Sequence, residues 1–305
     1  MTDTTMLVDG NWLINVCIPA KKVPGVGDEY ASYLFLQQRM KWRKTVFANR
    51  IIVVWDMGIP SFRFDYLPDY KKSRRVAKTK PSDLFRKDML GKNCEFLGKI
   101  LPQMGIRSWK VKQIEGDDLL FALVQHLRSQ KTIVLSGDMD LAQLVSPTVS
   151  LRTNKQLIDL KTLTSITLMD KKLPEVKMRS GADVVAFKAM RGDSSDSISP
   201  IIRPKSFTKL WLAMMEKDCP PQPQQILALA KELKIDLDVD SLRNNWYVVD
   251  LARAPIAPAM IGEAQMVLNT PQQLHESQVH SMVNEVGMNP SSLADVFTQL
   301  RYLKK

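Results

Sequence analysis

The chain has 305 residues and a formal net charge of +11, with 45% hydrophobic and 25% charged residues. This composition is typical of a soluble globular protein, and no run of about 18 apolar residues would allow a membrane-spanning helix. Met1–Thr5 lacks the pattern of a signal peptide, so we expect a cytoplasmic protein. Three cysteines and three histidines are too scattered to form a disulfide framework or a zinc site.

Apolar runs alternate with helical periodicity along the first half of the chain. Strands are predicted at 6–9, 50–56, 106–111, 132–136 and 148–152, and helices at 28–48, 82–103 and 117–130. This alternation predicts an α/β fold, with a mostly parallel central sheet flanked by helices on both faces. The stretch 58–81 is rich in prolines, aromatic residues and basic residues, which is typical of a lid or a binding loop.

The chain becomes helical after about residue 180. Helices are predicted at 182–191, 206–217, 224–234 and 293–303. Prolines at 220, 221 and 223 indicate a turn between the second and third of these helices. We therefore divide the chain into a sheet-based domain, 1–180, and a helical C-terminal domain, 181–305.

Acidic residues recur along the first two-thirds of this basic chain. They are Asp9, Asp56, Glu115, Asp117, Asp118, Asp138, Asp140, Asp193 and Asp196. Several follow a predicted strand, and the carboxyl ends of parallel strands line the ligand crevice of an open α/β sheet. Two unit charges about 4 Å apart repel by roughly 4 kcal/mol at an effective dielectric of about 20. A cation should offset this repulsion, and ligation by oxygen atoms predicts Mg²⁺ or Mn²⁺.

The segment Glu115–Asp118 precedes a predicted helix. Ordinary helix initiation would explain acidic residues there, because they favour the positive end of the helix dipole. Three carboxylates within four residues exceed that need. We therefore expect Glu115 and Asp117 to bind metal, with Asp118 shared between capping and support of the ligands.

Asp138 and Asp140 lie two residues apart after a strand, so their side chains point to the same side. A polar turn would explain one of them, whereas the pair favours metal ligation. Asp193 and Asp196, considered without the others, favour a turn in which Asp and Ser hydrogen-bond their own backbone. Together the carboxylates predict two divalent ions about 4 Å apart that hydrolyse a phosphodiester without a serine, cysteine or histidine nucleophile.

A basic run follows the second strand. Its members are Lys71, Lys72, Arg74, Arg75, Lys78 and Lys80, in a chain with a pI of about 9.5. A solvated loop is the simplest explanation of a charge run. This run follows Asp56 closely enough to overhang the acidic residues, so we favour phosphate binding. Lys71 and Arg74 are the nearest candidates to stabilise charge in the transition state.

Taken in order, these motifs are similar to those of the 5′-nuclease superfamily, the flap endonucleases and 5′→3′ exonucleases, and most closely to bacteriophage members named ribonuclease H. The motifs are Leu7–Asp9, Val54–Asp56, Phe62–Arg74, Glu115–Asp118, Gly137–Asp140 and Gly192–Asp196. The similarity covers residues 6 to about 215. It implies a resolvase-like (PIN-like) nuclease core with a basic arch at about 58–100, followed by a degenerate helix-three-turn-helix.

The resemblance also implies a role for each acidic residue. One divalent ion would be held by Asp9, Asp56 and Glu115, the other by Asp138, Asp140 and Asp193, with Asp117 between them and Asp118 and Asp196 in support. Lys71 and Arg74 would act on the scissile phosphate. The expected DNA-binding residues of the arch are Arg63, Tyr70, Lys71, Lys72, Arg74 and Arg75, where Tyr70 would either stack on a terminal base or pack against the arch.

One segment departs from the pattern of the family. Relatives commonly have a glycine-rich hairpin after the last acidic pair, whose backbone binds duplex phosphates with a potassium ion. Here Ser199–Ser206 contains no glycine and two prolines, which remove amide donors and restrict the backbone. This argues against a potassium site, while Arg203, Lys205 and Lys209 could still hold a duplex through their side chains.

We therefore expect a structure-dependent 5′ nuclease that uses two Mg²⁺ ions, replaceable by Mn²⁺, to remove RNA primers and 5′ flaps during DNA replication. Its partners would be DNA and RNA–DNA duplexes, with a replication clamp or a single-strand-binding protein as further candidates. Two alternatives stay open. One is a non-catalytic protein that binds branched DNA on a nuclease fold, and the other is a two-metal phosphoesterase acting on small molecules, which would leave the basic run without a purpose.

Overall fold

The computed structural model describes residues 4–22, 24, 27–46, 48–58, 60–72, 80–164, 178–217, 221–255, 258–270 and 273–301. The chain forms two compact units. The first comprises Met1–Ile59, Lys78–Gly137 and Ile256–Lys305, and the second comprises Pro60–Ala77 and Asp138–Pro255. These units are composed differently from the sequence-based domains 1–180 and 181–305, because the last helices belong to the first unit and the residues after Gly137 to the second.

Each predicted strand and helix is present close to its expected position, and the described residues form further elements that were not predicted. The strands are β1 (Thr4–Asp9), β2 (Arg50–Val54), β3 (Arg107–Trp109), β4 (Lys131–Leu135), β5 (Val149–Arg152) and β6 (Leu157–Ile158). The α-helices are α1 (Gly10–Cys17), α2 (Tyr30–Val46), α3 (Phe62–Tyr66), α4 (Pro81–Gln103), α5 (Gly116–His126), α6 (Leu160–Leu163), α7 (Gly181–Arg191), α8 (Pro204–Glu216), α9 (Pro223–Glu232), α10 (Val239–Val249), α11 (Pro258–Asn269), α12 (Glu276–Glu285) and α13 (Ala294–Arg301). Short 3-10 helices span Met139–Leu144, Leu251–Arg253 and Pro290–Leu293.

In the first unit, four strands form a parallel sheet in the order β3-β2-β1-β4. Strand β1 is central, with Asp9 opposite Val54 of β2 and Val8 opposite Leu135 of β4. β1, β2 and β4 are apolar and largely buried, as parallel strands covered by helices must be. The prediction of a mostly parallel sheet flanked by helices is confirmed.

The core of the first unit includes the end of the chain. Phe35 of α2 and Leu97 of α4 are fully buried beside Met6 of β1. The same core contains Val279 of α12 and Phe297 of α13. Helices distant in sequence therefore contribute to the packing that holds the parallel sheet.

The second unit is mainly helical and contains the antiparallel pair β5 and β6. Its core joins α7 to α8 through Phe187 and Phe207, whose rings meet edge to face with centroids 5.5 Å apart. Helix α7 ends at Arg191 and is followed by Gly192, whose φ of 71° lies in the left-handed region that favours glycine. The residues that follow turn sharply before α8. Among the described residues, no helix combines the length and the apolarity needed to cross a membrane.

Candidate metal centre and nucleic-acid interface

Asp9 ends the central strand of the first unit and begins helix α1. Its Oδ1 accepts a hydrogen bond from the backbone N–H of Trp12 at 2.9 Å, which caps the helix. Its Oδ2 accepts a hydrogen bond from the hydroxyl of Ser136 at 2.7 Å. Ser136 follows β4, so a neighbouring strand fixes the orientation of this carboxylate at the carboxyl edge of the sheet.

Asp56 lies at the same edge, just after β2. Its Oδ1 accepts a hydrogen bond from the backbone N–H of Gly116 at 2.6 Å, and its own N–H donates to Asn11 Oδ1 at 3.0 Å. A Cβ on Gly116 would lie 2.9 Å from Asp56 Oδ1, so glycine permits this close approach. The contact places Glu115, the preceding residue, next to Asp56. Burial and, secondarily, the charge of Asp56 raise the pKa of the Cys94 thiol to about 11.

The remaining carboxylates of the first unit lie at the start of α5. Glu115 is buried, Asp117 is half-buried in the first turn and Asp118 is fully buried there. The positive end of the helix dipole favours negative charge at these positions. Complete burial of Asp118 agrees with a supporting role, while metal ligation by Glu115 and Asp117 stays a prediction.

The second unit brings together three of the predicted acidic residues. One carboxylate oxygen each from Asp140, Asp193 and Asp196 lies within 4.8 Å of the other two. Asp138 is exposed and caps the adjoining 3-10 helix, where its Oδ1 accepts from the backbone N–H of Asp140 at 2.9 Å. We call Asp140, Asp193 and Asp196 the aspartate cluster.

A lysine that sequence analysis missed contacts this cluster. The ammonium of Lys188, on α7, donates to Asp140 Oδ1 and to Asp193 Oδ2, the latter at 2.6 Å. Burial would raise the pKa of Asp193, but the charge of Lys188, its hydrogen bond and those of Ser195 outweigh burial and lower the pKa to about 2. One indication of this role was present in the sequence, because Lys188 is the single charged residue within the apolar run Val184–Met190.

The donor set fits a divalent cation. Carboxylate oxygens are the ligands that hard cations such as Mg²⁺ and Mn²⁺ prefer. The separations within the aspartate cluster allow its oxygens to face one ion, and the ammonium of Lys188 shows that the position accepts positive charge.

Lys71, in the segment after α3, contacts the aspartate cluster within the second unit. Its backbone N–H donates to the carbonyl of Asp196 at 2.9 Å, and its ammonium lies 4.0 Å from Asp196 Oδ2. Lys71 has a φ of 51°, in the left-handed region, and its side chain is largely buried. The predicted proximity of this lysine to acidic residues is therefore present within the second unit.

Two predicted DNA contacts are corrected by the structure. Arg63 and Tyr70 are only 2% and 3% exposed. The Nε of Arg63 donates to the carbonyl of Val248 at 3.0 Å, and its guanidinium lies over the rings of Phe62 and Tyr70, 4.7 Å and 5.6 Å from their centroids. Such enclosed side chains cannot reach a phosphate or a base. Arg63 is therefore a packing residue, and for Tyr70 the alternative of packing against the arch holds.

Four other predicted DNA-binding residues are exposed to solvent in the described part of the chain. Lys72 is exposed and pairs with Asp69 at 3.1 Å. Arg203, Lys205 and Lys209 are exposed at the beginning of α8, where Lys209 also donates to the carbonyl of Leu233. Contact of these side chains with nucleic acid stays a prediction. Arg74 and Arg75 lie outside the described residues.

The first unit combines a parallel sheet with carboxylates at the ends of its strands. The family model of the 5′-3′ exonuclease N-terminal resolvase-like domain matches residues 4–172, more than half of the chain. The chain belongs to this family. The matched segment contains the carboxylates of the first unit, the arch, and Asp138 and Asp140.

The chain spans only part of the length of the curated relatives that it matches. DNA polymerase I of Streptococcus pneumoniae strain R6 is 32% identical over 159 residues, which are 51% of this chain and 16% of the polymerase. A 5′-3′ exonuclease of Buchnera aphidicola subsp. Acyrthosiphon pisum is 28% identical over 171 residues, 55% of this chain and 53% of that protein. The chain is also similar to the crystal structure of the D15 protein of bacteriophage T5, which was co-crystallised with metal ions. The superposition covers 93% of this chain and 98% of the T5 chain, with a TM-score of 0.60 and 17% identity. This similarity shows the fold.

Proposed function

We propose that the protein is a divalent-metal-dependent 5′ nuclease that hydrolyses phosphodiester bonds in 5′ flaps and near the 5′ ends of duplexes. The aspartate cluster carries this proposal, because three carboxylate oxygens converge within 4.8 Å in a member of the 5′-3′ exonuclease family. Asp9, Asp56 and Glu115 provide a further set of carboxylates at the sheet edge of the first unit.

We assign one divalent ion to Asp9, Asp56 and Glu115 and another to the aspartate cluster with Asp138. Asp117 would be a further metal ligand, and Asp118 would orient the ligands. When bound, the ions supply the Lewis acidity that activates the attacking water and stabilises the leaving oxygen. Mg²⁺ is the expected ion, with Mn²⁺ able to replace it, and a structure of T5 5′-exonuclease with bound divalent metal ions (zinc) supports a divalent cation in this fold.

The positively charged residues of the arch would act on the scissile phosphate. The ammonium of Lys71 is held beside Asp196 by the backbone hydrogen bond between the two residues. A cation at this place would stabilise the negative charge that develops on the phosphate oxygens. Arg74, three residues further along the arch, is assigned to the same phosphate.

The N-terminal part of α8 and the residue before it would bind the duplex through Arg203, Lys205 and Lys209. We propose no potassium site in the preceding turn, where the carbonyls of Ser199 and Ile202 already accept hydrogen bonds from Asn245 and Arg191.

The physiological substrates would be RNA primers and 5′ flaps left by replication. Relatives named DNA polymerase I and the T5 flap endonuclease crystallised with DNA and metal ions support this substrate class. We place the reaction in the cytoplasm of a bacterial cell, including one infected by a bacteriophage. A clamp or a single-strand-binding protein would be the natural partner.

Cleavage of a 5′-labelled flap and of a nicked RNA-primed duplex tests the proposal. The wild type should release short 5′ products with Mg²⁺ or Mn²⁺ and none with EDTA. Asp140→Asn should remove cleavage, whereas Asp240→Asn, which changes an aspartate 90% exposed in the same unit, should retain it. Tight binding of both substrates without cleavage would instead identify a protein that binds branched DNA, and hydrolysis of mononucleotides alone would identify a small-molecule phosphoesterase.

A further inference from the structure

The last turn of helix α10 is hydrogen-bonded to segments that carry the aspartate cluster and Lys71. The final carbonyls of an α-helix have no partner within the helix. In α10, the carbonyl of Val248 accepts from Arg63 Nε at 3.0 Å, and that of Val249 accepts from Gln143 Nε2 at 3.2 Å. The end of α10 thus anchors two segments distant in sequence.

Gln143 connects this helix end to Asp140. Its Nε2 also donates to the carbonyl of Asp140 at 2.9 Å, and its Oε1 accepts from the backbone N–H of Leu251 at 3.0 Å. The amide therefore contacts the backbone of an aspartate of the cluster and the chain on both sides of the end of α10. A displacement of α10 would displace Asp140.

Asn245, one turn earlier on α10, holds the turn that contains the other two aspartates. Its side chain is buried, and its Nδ2 donates to the carbonyl of Ala189 at 2.9 Å and to that of Ser199 at 3.0 Å. Ala189 and Ser199 lie on either side of the turn that carries Asp193 and Asp196. One amide group therefore closes the base of this turn.

Helix α10 also anchors the arch segment that leads to Lys71. Arg63 joins the carbonyl of Val248 to the ring of Tyr70, the residue before Lys71. The rings of Tyr66 and Tyr247 stack with centroids 4.3 Å apart and an interplanar angle of 10°. The described segment that ends at Lys71 is therefore fixed to the same helix that fixes the aspartates.

We propose that the last turns of α10 position the aspartate cluster for a divalent ion, with Asn245 and Gln143 as positioning residues. Carboxylates brought this close repel one another, so their backbone segments need a common support to keep the geometry. This helix lies outside the family-model match to residues 4–172. The inference rests on the proposed nuclease function and identifies what holds one half of its metal centre.

Calorimetric titration of Mn²⁺ into the full chain tests the inference without substrate. Loss of a group that supports metal ligands typically weakens affinity or activity by about 10- to 100-fold. We expect a loss of that order in Mn²⁺ affinity for Asn245→Ala. Asn244→Ala, which changes the neighbouring, half-buried amide of the same helix, should retain the affinity of the wild type. Equal Mn²⁺ affinities for Asn245→Ala and the wild type would overturn the inference.

Cleavage at increasing Mn²⁺ separates positioning from general destabilisation. If Asn245 positions the ligands, kcat should fall at low Mn²⁺ and recover at high Mn²⁺, with KM for the flap substrate unchanged. A loss of kcat that Mn²⁺ does not restore, in a variant with wild-type circular dichroism, would contradict positioning. If Asn245→Ala does not fold, the same calorimetric titration is made with Gln143→Met. Weaker Mn²⁺ binding by this variant than by the wild type supports the inference, and equal binding overturns it. A wild type that binds Mn²⁺ but cleaves neither substrate would refute the nuclease proposal and leave the calorimetric comparison valid.

Discussion

Replacing Lys188 by methionine should destabilise the metal-free protein and strengthen its binding of divalent ions. Lys188 is only 14% exposed, and its ammonium contacts both Asp140 and Asp193. Methionine keeps most of the length of the side chain and removes the charge. The aspartate cluster would then keep its carboxylates without the cation that joins two of them.

The structure gives the magnitude of this effect. The carboxylate oxygens of the aspartate cluster lie within 4.8 Å of one another, and two unit charges at that largest distance repel by about 3.5 kcal/mol at an effective dielectric of about 20, of which protonation relieves part. The lowering of the Asp193 pKa from 3.8 to about 2 corresponds to about 2 kcal/mol. The folded-state pKa is the lower one, so this stability is present above about pH 4 and is lost as the pH falls through about 2. We expect Lys188→Met to lower the free energy of unfolding at pH 7 by about 2 to 3 kcal/mol.

Urea unfolding in EDTA and in saturating Mn²⁺ measures both parts of the effect. In EDTA the variant should be less stable, and Mn²⁺ should stabilise it more than the wild type because the ion no longer competes with the ammonium. Lys217→Met is the matched control, since Lys217 pairs with Glu232 at 2.8 Å where both side chains are more than half exposed. Such a pair is worth about 0 to 1 kcal/mol. Equal stability of Lys188→Met and the wild type in EDTA would refute the reasoning.

Three further predictions follow from burial and exposure. Arg63→Ala should lower the free energy of unfolding, measured in urea, by about 2 to 4 kcal/mol, because it removes a buried hydrogen-bonded group. Weaker DNA binding with unchanged stability would instead show that Arg63 contacts DNA. Lys205→Ala should reduce the slope of log K against log salt for duplex binding by about one, and an unchanged slope would exclude a phosphate contact. Cys17, whose pKa burial raises to about 12, should resist alkylation at pH 8 in the folded protein, since roughly one thiol in 10⁴ is ionised there; rapid labelling seen by mass spectrometry would contradict the burial.

Much of the parallel sheet could be predicted because its strands are buried on both faces. Such strands must be continuously apolar, and the runs in β1, β2 and β4 are visible in the sequence without tertiary information. Asp9 and Asp56 could be placed at the sheet edge for the same reason, since strand ends follow from strand positions. Convergence of Asp140 with Asp193 was expected only through the family resemblance, because Asp193 and Asp196 considered without the other acidic residues favour a turn.

The environment of the basic residues could not be predicted in the same way. Arg63 stands close to a basic run, and nothing in its neighbourhood along the chain reveals that Val248 receives its hydrogen bond. Lys188 gave a weak signal as a charge within an apolar helix, but only tertiary structure shows the carboxylates that it meets. The role of Asn245 could not be predicted from the sequence either, because its hydrogen-bond partners are backbone carbonyls, which every residue possesses.

The two sets of carboxylates are stabilised by different groups, and this affects how each would accept a metal. Asp9 is held by an amide and a hydroxyl, neutral donors that occupy part of the roughly four acceptor positions of a carboxylate and can remain when an ion binds. Asp140 and Asp193 share the ammonium of Lys188, and a divalent ion among them must displace that charge or bind beside it. In either case the charge of Lys188 opposes the ion, so the affinity of the aspartate cluster for a divalent ion should depend on Lys188. In Lys188→Met that dependence should disappear, and Mn²⁺ should bind the cluster without competition.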